Sequence, residues 1–176
     1  DETIGNTGIY LLNNLELYNK KLYFLMSARY DYIYFDQINR LLAVRNTNRT
    51  FADFTPKFAL NFKVTPSVAV YTSFGYSFDS PAGNELDNYP TSSNPGLMIN
   101  PDLKPQKSTN FELGIKGNLL NDESDYFTNT LFDFTFYTTI VNDEIVPFEV
   151  YGDSFFRKKK KTNRKGLEAG ITTEVY

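Results

Sequence analysis

Long runs in which apolar and polar side chains alternate limit most strongly how this chain can fold. One of them follows a loop with two prolines within residues 100–116. The apolar positions of this run are Phe111, Leu113 and Ile115, and the polar positions are Asn110, Glu112, Gly114 and Lys116. Because successive side chains of an extended strand point to opposite faces, the run predicts a strand with one apolar and one polar face.

About seven such runs occur in the sequence, with no pattern that indicates a helix and no short-period repeat. They cover residues 8–18, 22–35, 54–64, 68–78, 108–119, 126–146 and 167–175. Most are about 10 to 15 residues long, which exceeds the roughly 5–6 residues of a soluble strand and suits a tilted strand that crosses a bilayer. The sequence therefore predicts an all-β protein built from long strands.

The connections between these runs are alternately short and long. Residues 19–21, 65–67 and 120–125 are short, whereas 36–53 and 79–107 are long. Transmembrane barrels have short turns at one rim and long loops at the other, so this order favours an antiparallel transmembrane β-barrel. Arg29, Lys63 and Lys116 all fall on the polar side of their strands, as such a barrel requires. A soluble β-sandwich with its apolar face turned inward is the alternative.

Composition excludes several classes of function. The chain has no cysteine and no histidine, which argues against a disulfide framework, a zinc site and Cys–His or Ser–His catalysis. Its carboxylates are scattered, so we predict no catalytic residues, no metal site and no enzyme. A net charge of −3 gives no reason to expect a nucleic-acid partner. With a mean hydropathy of −0.40, no run approaches the roughly 20 apolar residues of a membrane helix.

The segment NPDLKPQKSTNFELGIK at residues 100–116 resembles a barrel signature of TonB-dependent outer-membrane receptors, which import ferric siderophores and related scarce nutrients. The residues that carry this resemblance are Asn100, Pro101, Leu103, Pro105, Ser108, Asn110, Glu112, Gly114 and Lys116. We expect a structural role for them: the prolines set how the loop enters the strand, and Glu112 and Lys116 form ion pairs that face the lumen.

Further segments resemble the same family in the same order. They include GIYL at 8–11, ARYD at 28–31, FTPKF at 54–58, DEI at 143–145 and KTNRKGLE at 161–168. Two departures stand out: Gln106 replaces a usual Glu, and residues 157–161 are five consecutive basic residues. We expect the basic run to be a solvated loop at the rim, with contact to lipopolysaccharide phosphates as the alternative.

The resemblance implies a position within a larger protein. A plugged transporter barrel of this kind has about 22 strands, so residues 1–176, with about seven, are expected to be the middle-to-late part of the barrel domain. The plug domain and the N-terminal region that contacts the TonB energy-coupling protein are expected outside this chain. The implied location is the bacterial outer membrane, with its lipid and lipopolysaccharide as further partners.

The expected function is import of ferric siderophore complexes. Iron would arrive bound to its chelator, so no cofactor of the protein's own is expected. The long connections should lie on the outer side, where Arg40, Arg45 and Arg49 are candidates to meet an anionic chelate and Tyr89 to stack on an aromatic one. The alternatives are import of haem, cobalamin or an oligosaccharide, and a structural or adhesive β protein that transports nothing.

Overall fold

The alternating runs form a single antiparallel sheet. The computed structural model describes residues 1–38, 40, 47–89, 92–94, 96–119 and 127–175, and in this part of the chain it contains seven strands. They are β1 Glu2–Leu17, β2 Leu22–Gln37, β3 Thr47–Lys63, β4 Val68–Asp79, β5 Gln106–Asn118, β6 Phe127–Val150 and β7 Asp153–Val175. Each strand pairs with its neighbours in chain order, from β1 to β7. The predicted all-β, antiparallel fold is therefore confirmed.

The register places side chains of like polarity in continuous rows across the strands. One row on the apolar face contains Leu22, Phe62, Val70, Ile115, Phe134 and Ala169. The next row along the strands lies on the opposite face. It contains Tyr23, Asn61, Tyr71, Gly114, Thr135 and Glu168. Many large side chains of the apolar face are exposed, among them Leu60 (41%) and Phe134 (47%). A continuous exposed apolar face of this kind indicates contact with lipid or another apolar partner.

The two ends of the sheet differ in their connections. At the short-turn rim, residues 18–21 and 64–67 join β1 to β2 and β3 to β4, and the side-chain Oγ1 of Thr65 accepts a hydrogen bond from Val68 N at 3.0 Å. At the long-connection rim, residues 38–46, 80–105 and the turn Tyr151–Gly152 join the remaining described pairs. A short 3₁₀ helix, Gly83–Leu86, lies in connection 80–105. The predicted short turn at 120–125 lies outside the described residues.

The predicted long connection 36–53 is wrong in extent. β2 and β3 continue to pair up to Gln37 and Thr47, which leaves only residues 38–46 between them. The polar residues Asp36 and Asn48 face each other in this ladder. In this stretch one face, with Arg49 and buried Phe51, is covered by connection 80–105, and the other face is polar and exposed. The apolar–polar alternation is therefore lost although backbone pairing continues, so the sequence pattern ended before the strand did.

The prediction that basic residues 157–161 form a rim loop is also wrong. They lie within β7, opposite β6, with Arg157 facing Val146 and Lys161 facing Asn142. The two strands extend past the start of β5 and end in the turn Tyr151–Gly152, in which both residues have positive φ (54° and 91°). The Gly-Asp pair at 152–153 is a hairpin signal, although no turn was predicted at these residues.

A small core lies at the long-connection rim. Ile33, Phe35 and Phe51 of the strands are buried against side chains from connection 80–105. The loop residues of this cluster are Leu86, Ile99 and Leu103. Within the described residues, no helix is long and apolar enough to cross a membrane.

Candidate functional site

Asn100 fixes connection 80–105 on the sheet. It is 1% exposed, and its backbone N–H donates to the carbonyl of Leu86 at 2.7 Å. Its side-chain Oδ1 accepts from Asp102 N at 2.9 Å, and its Nδ2 donates to the carbonyl of Phe156 in β7 at 3.3 Å. A buried polar side chain is tolerated only when its groups are bonded. Asn100, at the start of the signature segment, therefore joins the loop to the far hairpin.

Arg49 of β3 binds the same loop from the other side. Its Nη1 donates to the carbonyl of Asn100 at 2.7 Å, and its Nη2 donates to the carbonyl of Leu103 at 2.9 Å. The guanidinium also lies 5.1 Å from the ring centroid of Phe51. Arg49 was predicted to meet an anionic chelate in a loop, but the structure places it on a strand, half-buried and bonded to backbone carbonyls.

The other predicted ligand residues contact different parts of the molecule. Arg40 is exposed and forms an ion pair with Asp1. Arg45 lies outside the described residues. Tyr89 is half-buried, with its ring 5.1 Å from Phe148 and 6.3 Å from Phe155 of the extended hairpin. Of the described members, Arg49 and Tyr89 thus both lie next to Asn100, whereas Arg40 is bound to Asp1.

A small pocket lies where the loop meets the hairpin. Its volume is about 240 Å³, and its lining residues are Tyr89, Asn100, Asp102, Leu103, Arg157 and Lys158. Arg157 lies over the ring of Phe148, with its Cζ 5.2 Å from the centroid, and both Arg157 and Lys158 are exposed. From the sequence these two cations were expected in a separate rim loop, with contact to lipopolysaccharide phosphates as the alternative, so their position beside Tyr89 was not predicted.

Asp102 is the acidic group of this pocket. The Ser93 hydroxyl donates to its Oδ1 at 2.6 Å and Ser93 N donates to Oδ2 at 3.2 Å. These hydrogen bonds lower the pKa of Asp102, and the nearby charges of Lys158 and Arg49 lower it further. The carboxylate is thus held in its charged form beside the two exposed cations.

Within the signature segment, residues 100–116, Gly114 and Lys116 lie on the polar face of β5. Tyr71 of β4 lies across Gly114 and its hydroxyl reaches Thr135 of β6 at 2.5 Å. A Cβ at Gly114 would lie 2.5 Å from Cζ of Tyr71, so this position has no room for a side chain. The Nζ of Lys116 lies 5.2 Å from the centroid of the same ring. Gly114 therefore lets one tyrosine connect three neighbouring strands.

The same arrangement recurs two strands further along the sheet. Tyr137 of β6 lies over Gly166 of β7, where an added Cβ would lie 2.5 Å from the tyrosine hydroxyl. The partners are directly opposite each other in the register. Finding such pairs in sequence requires the register, which periodicity alone does not supply.

The remaining signature residues make polar contacts across strands. Ser108 Oγ lies 2.7 Å from Ser77 Oγ, Asn110 Oδ1 accepts from Thr139 at 2.7 Å, and Glu112 accepts from Ser73 at 3.4 Å. Pro101 and Pro105 lie in the connection that precedes β5. The predicted ion pairs of Glu112 and Lys116 are not present among the described residues. Glu112 instead contacts the Ser73 hydroxyl, and Lys116 contacts the ring of Tyr71.

The polar face carries a wide depression near the short-turn rim. It has a volume of about 580 Å³, and its polar lining includes Asn61, Lys63, Lys116 and Asp133. Among the described residues there is no cluster of three acidic side chains suited to a metal ion. The chemistry that this face offers is therefore hydrogen bonding, cationic contact and aromatic contact.

Comparison with known proteins gives a consistent result. A sequence family described as "TonB dependent receptor-like, beta-barrel" matches residues 1–175. No curated protein sequence matches the chain.

Several solved structures share the fold at low identity. The haemophore receptor HasR of Serratia marcescens has a TM-score of 0.72 and 18% identity, with 96% of this chain and 32% of that chain covered. The copper transporter OprC has a TM-score of 0.75 and 18% identity, with 97% of this chain and 26% of that chain covered. The ferric-catecholate import receptor Fiu of E. coli K12 has a TM-score of 0.67 and 16% identity, with 97% of this chain and 25% of that chain covered. The chain thus spans about a third or less of the length of these proteins.

Proposed function

Because the chain belongs to the β-barrel family of TonB-dependent receptors, we propose that it forms part of a receptor that imports ferric siderophore complexes. Members of this family are bacterial outer-membrane β-barrel proteins, and that is the location of this chain. Energy coupling through TonB would use a region outside residues 1–176. The cargo and the transport activity are the proposed parts of this assignment.

The two-faced sheet carries the proposal. Phe62, Val70, Ile115 and Phe134 form one apolar row, and the adjacent row on the other face contains two tyrosines, a threonine and a glutamate. In a transmembrane barrel, apolar side chains contact lipid and polar ones line the lumen. Placing the apolar face outward makes the polar face, with its depression near Lys63 and Lys116, the wall of an aqueous path.

The long-connection rim offers groups that suit an anionic aromatic chelate. Arg157 and Lys158 are exposed beside the ring of Tyr89. Arginine combines charge with a planar group that stacks on aromatic rings, and such contacts favour ligands with both features. At about 240 Å³ the pocket is smaller than the roughly 300–1,000 Å³ of sites that enclose a whole small molecule, so it would take one edge of a chelate. Fiu, described as a ferric-catecholate import receptor, shares this fold.

Uptake by intact cells tests the cargo. A strain that lacks the full-length gene, and the same strain with the gene restored, would be supplied with one radiolabelled nutrient at a time: a ferric catecholate, a ferric hydroxamate, haem, cobalamin, a copper chelate or an oligosaccharide. We expect gene-dependent and TonB-dependent uptake of a ferric siderophore. Uptake of another nutrient alone would replace the proposed cargo. Absence of uptake for every nutrient by a receptor that assembles would favour a structural or adhesive role.

A binding measurement tests the rim residues. In the purified full-length receptor, Arg157→Gln should weaken binding of the transported ferric siderophore by about fivefold, as expected for loss of one exposed cation next to an aromatic group. Lys20→Gln, which removes a charge from the opposite rim, is the matched control and should leave the affinity unchanged. Equal affinities for wild type and Arg157→Gln would remove this pocket from the site.

A further inference from the structure

The sheet is split between β3 and β4 near the long-connection rim. Within residues 47–79, all of which the structure describes, their pairing ends at Lys57–Gly75, although β3 begins at Thr47 and β4 continues to Asp79. Over the same stretch β2 stays paired with β3, and β4 stays paired with β5. The outer ends of β4 and β5 are therefore joined to each other by a backbone ladder but are not joined to β3 by one.

Pro56 explains where this pairing stops. Lys63 N donates to the carbonyl of Lys21, next to β2, at 2.8 Å. Because the N–H groups of successive strand residues point to opposite neighbours, those of the even-numbered residues of β3 point toward β4. Pro56 is one of these residues and has no N–H to donate. Phe54 is the next, and its N–H donates to its neighbour Asp53, at Oδ1 and 2.8 Å, instead of to β4.

Beyond the split, side chains from opposite faces of the sheet meet. By strand alternation Asp53 belongs to the polar face, whereas Tyr76 of β4 and Lys107 of β5 belong to the apolar face. Even so, Oδ2 of Asp53 accepts from the Tyr76 hydroxyl at 2.9 Å and forms an ion pair with Lys107 Nζ at 2.6 Å. Phe78, also on the apolar face of β4, packs against the buried cluster that contains Phe51 of the polar face. These contacts require the outer ends of β4 and β5 to turn inward over β3.

Connection 80–105 continues this inward fold across the polar face. Its apolar side chains cover those of β2 and β3, and two of its carbonyls accept from Arg49. It also reaches β1, because a Cβ at Gly83 would lie 2.6 Å from Oε1 of Glu2. We refer to the described part of residues 76–109 as the cap. Since the polar face of the proposed barrel lines the lumen, the cap lies inside its mouth.

We infer that the cap swings outward, as one unit, to open the mouth of the barrel during transport. The β4–β5 ladder, which extends to Asp79–Gln106, keeps the unit together. Swinging outward breaks no β3–β4 pair, since none exists above Lys57 in the described residues. It breaks side-chain contacts instead, chiefly those of Asp53 and Arg49 and of the apolar cluster. In hinge motions of this type, a few residues at the ends of elements absorb the change in backbone angles.

Spin-label distances in the purified full-length receptor test the motion without any cargo. The labels are attached at Thr50→Cys on β3 and Asn84→Cys on the cap, both of which are exposed positions. A short distance should dominate, with a longer one in a minor fraction. Lys107→Gln removes the ion pair and should increase the longer fraction roughly threefold, as expected for a partly exposed pair. Lys57→Gln removes a charge from β3 below the split and should leave both fractions unchanged.

The distance measurement can contradict the inference directly. A single short distance that stays the same in Lys107→Gln would mean that the cap is a fixed part of the wall. The inference that the cap moves during transport rests on the proposed function, but the distances do not require a cargo. If the receptor takes up none of the nutrients offered, the proposed function fails while the motion of the cap is still decided.

A reversible cross-link tests whether transport needs the motion. Asp53→Cys/Lys107→Cys, bridged by a short bis-thiosulfonate reagent, should reduce uptake of the transported nutrient to the level of cells without the gene, and a reducing agent should restore it. The matched control is Ser77→Cys/Ser108→Cys, which bridges two residues inside the cap whose hydroxyl oxygens lie 2.7 Å apart. This bridge should leave uptake unchanged. Full uptake by the receptor bridged between Asp53 and Lys107 would overturn the inference.

Discussion

The sheet and the long-connection rim achieve order in different ways. In the sheet, apolar side chains such as Leu60 and Phe134 are held on one face by the backbone ladder, and they remain 41% and 47% exposed. At the rim, Asn100 is 1% exposed and its side chain makes two hydrogen bonds to the backbone. The stability of the sheet therefore depends on which face a side chain occupies, whereas the stability of the rim depends on hydrogen bonds between particular residues.

This difference sets what each region tolerates. A lipid-facing position accepts any apolar side chain of similar size, because lipid adapts to its shape, but it rejects charge. A buried amide that is hydrogen-bonded through both its oxygen and its nitrogen accepts almost no replacement, because each partner left unpaired carries a desolvation cost. The largest effects in the sheet should follow polarity, and those at the rim should follow hydrogen bonding.

Reversing polarity at adjacent sheet positions should produce the largest effect. In the full-length receptor, Leu60→Arg places a charge on the lipid face, which costs about 2–4 kcal/mol near mid-membrane and should prevent assembly. Asn61→Arg places the same charge on the polar face and should be tolerated. The fraction of heat-modifiable receptor in purified outer membranes measures assembly. Equal assembly of the two variants would contradict the assignment of the faces.

Removing the buried amide should be the largest single change at the rim. Asn100→Ala leaves Asp102 N and the Phe156 carbonyl, both part-buried, without their side-chain partner, at a cost of about 1 kcal/mol or more for each group. The barrel should still assemble, but connection 80–105 should become a site of rapid cleavage in limited proteolysis. The control is Asn84→Ala, at an exposed position of the same connection. Unchanged protection of the loop in Asn100→Ala would show that the apolar cluster alone holds it.

A methyl group tests whether the sheet, too, has positions that depend on individual partners. Gly114→Ala forces Tyr71 to move, because the new Cβ would lie 2.5 Å from its ring, and overpacking of this kind costs about 1–3 kcal/mol. Gly75→Ala on β4 meets only Lys57 Cγ at 3.7 Å and should be nearly neutral. Urea denaturation of the refolded receptor measures the free energy of unfolding.

The double variant Gly114→Ala/Tyr71→Ala distinguishes a steric conflict from a general effect of alanine. If the conflict is steric, removing the ring should make the two changes markedly non-additive, since the second relieves the strain of the first. Additive effects would mean that Tyr71 and Gly114 act independently.

Periodicity predicted the part of the fold that depends on faces. It identified the seven strands found in the described part of the chain and placed Arg29, Lys63 and Lys116 on the polar side, because lipid on one face and water on the other impose a period of two. It did not predict that β3 starts at Thr47, since the residues before Phe54 are polar on both faces except for Phe51 and Ala52, and Phe51 is buried by a loop that is distant in sequence.

The contacts at the rim could not be predicted from a single sequence. Arg49 reads as a solvated loop cation, and only the folded loop brings to it the carbonyls of Asn100 and Leu103, 51 and 54 residues away. The Tyr71–Gly114 pair likewise becomes visible only once the register is known. Partners of this kind are set by tertiary structure, and local patterns carry no information about them.

Acid should weaken the rim while leaving the sheet intact, and this is the smallest of the predicted effects. The Ser93 hydrogen bonds lower the pKa of Asp102, so the carboxylate stabilises the docked loop above the ordinary pKa of an aspartate, near 3.9. That contribution is lost as pH falls through the lowered value, because protonation removes the charged acceptor. Between pH 6 and pH 3, opening of the loop around Ser93 should increase by roughly threefold, a modest factor because Asp102 is only partly buried and solvent screens its charge.

Hydrogen exchange measured by mass spectrometry, corrected for the intrinsic pH dependence of exchange, detects this opening. Asp102→Asn cannot ionise, so its corrected protection should not change over the same pH interval. Peptides from the paired region of β4 and β5 serve as an internal reference and should stay protected in both proteins, since their ladder bonds do not titrate. If hydrogen exchange in Asp102→Asn increased with acid to the same extent, the effect would belong to another group. If acid also opened the β4–β5 ladder, the rim and the sheet would no longer differ in what stabilises them.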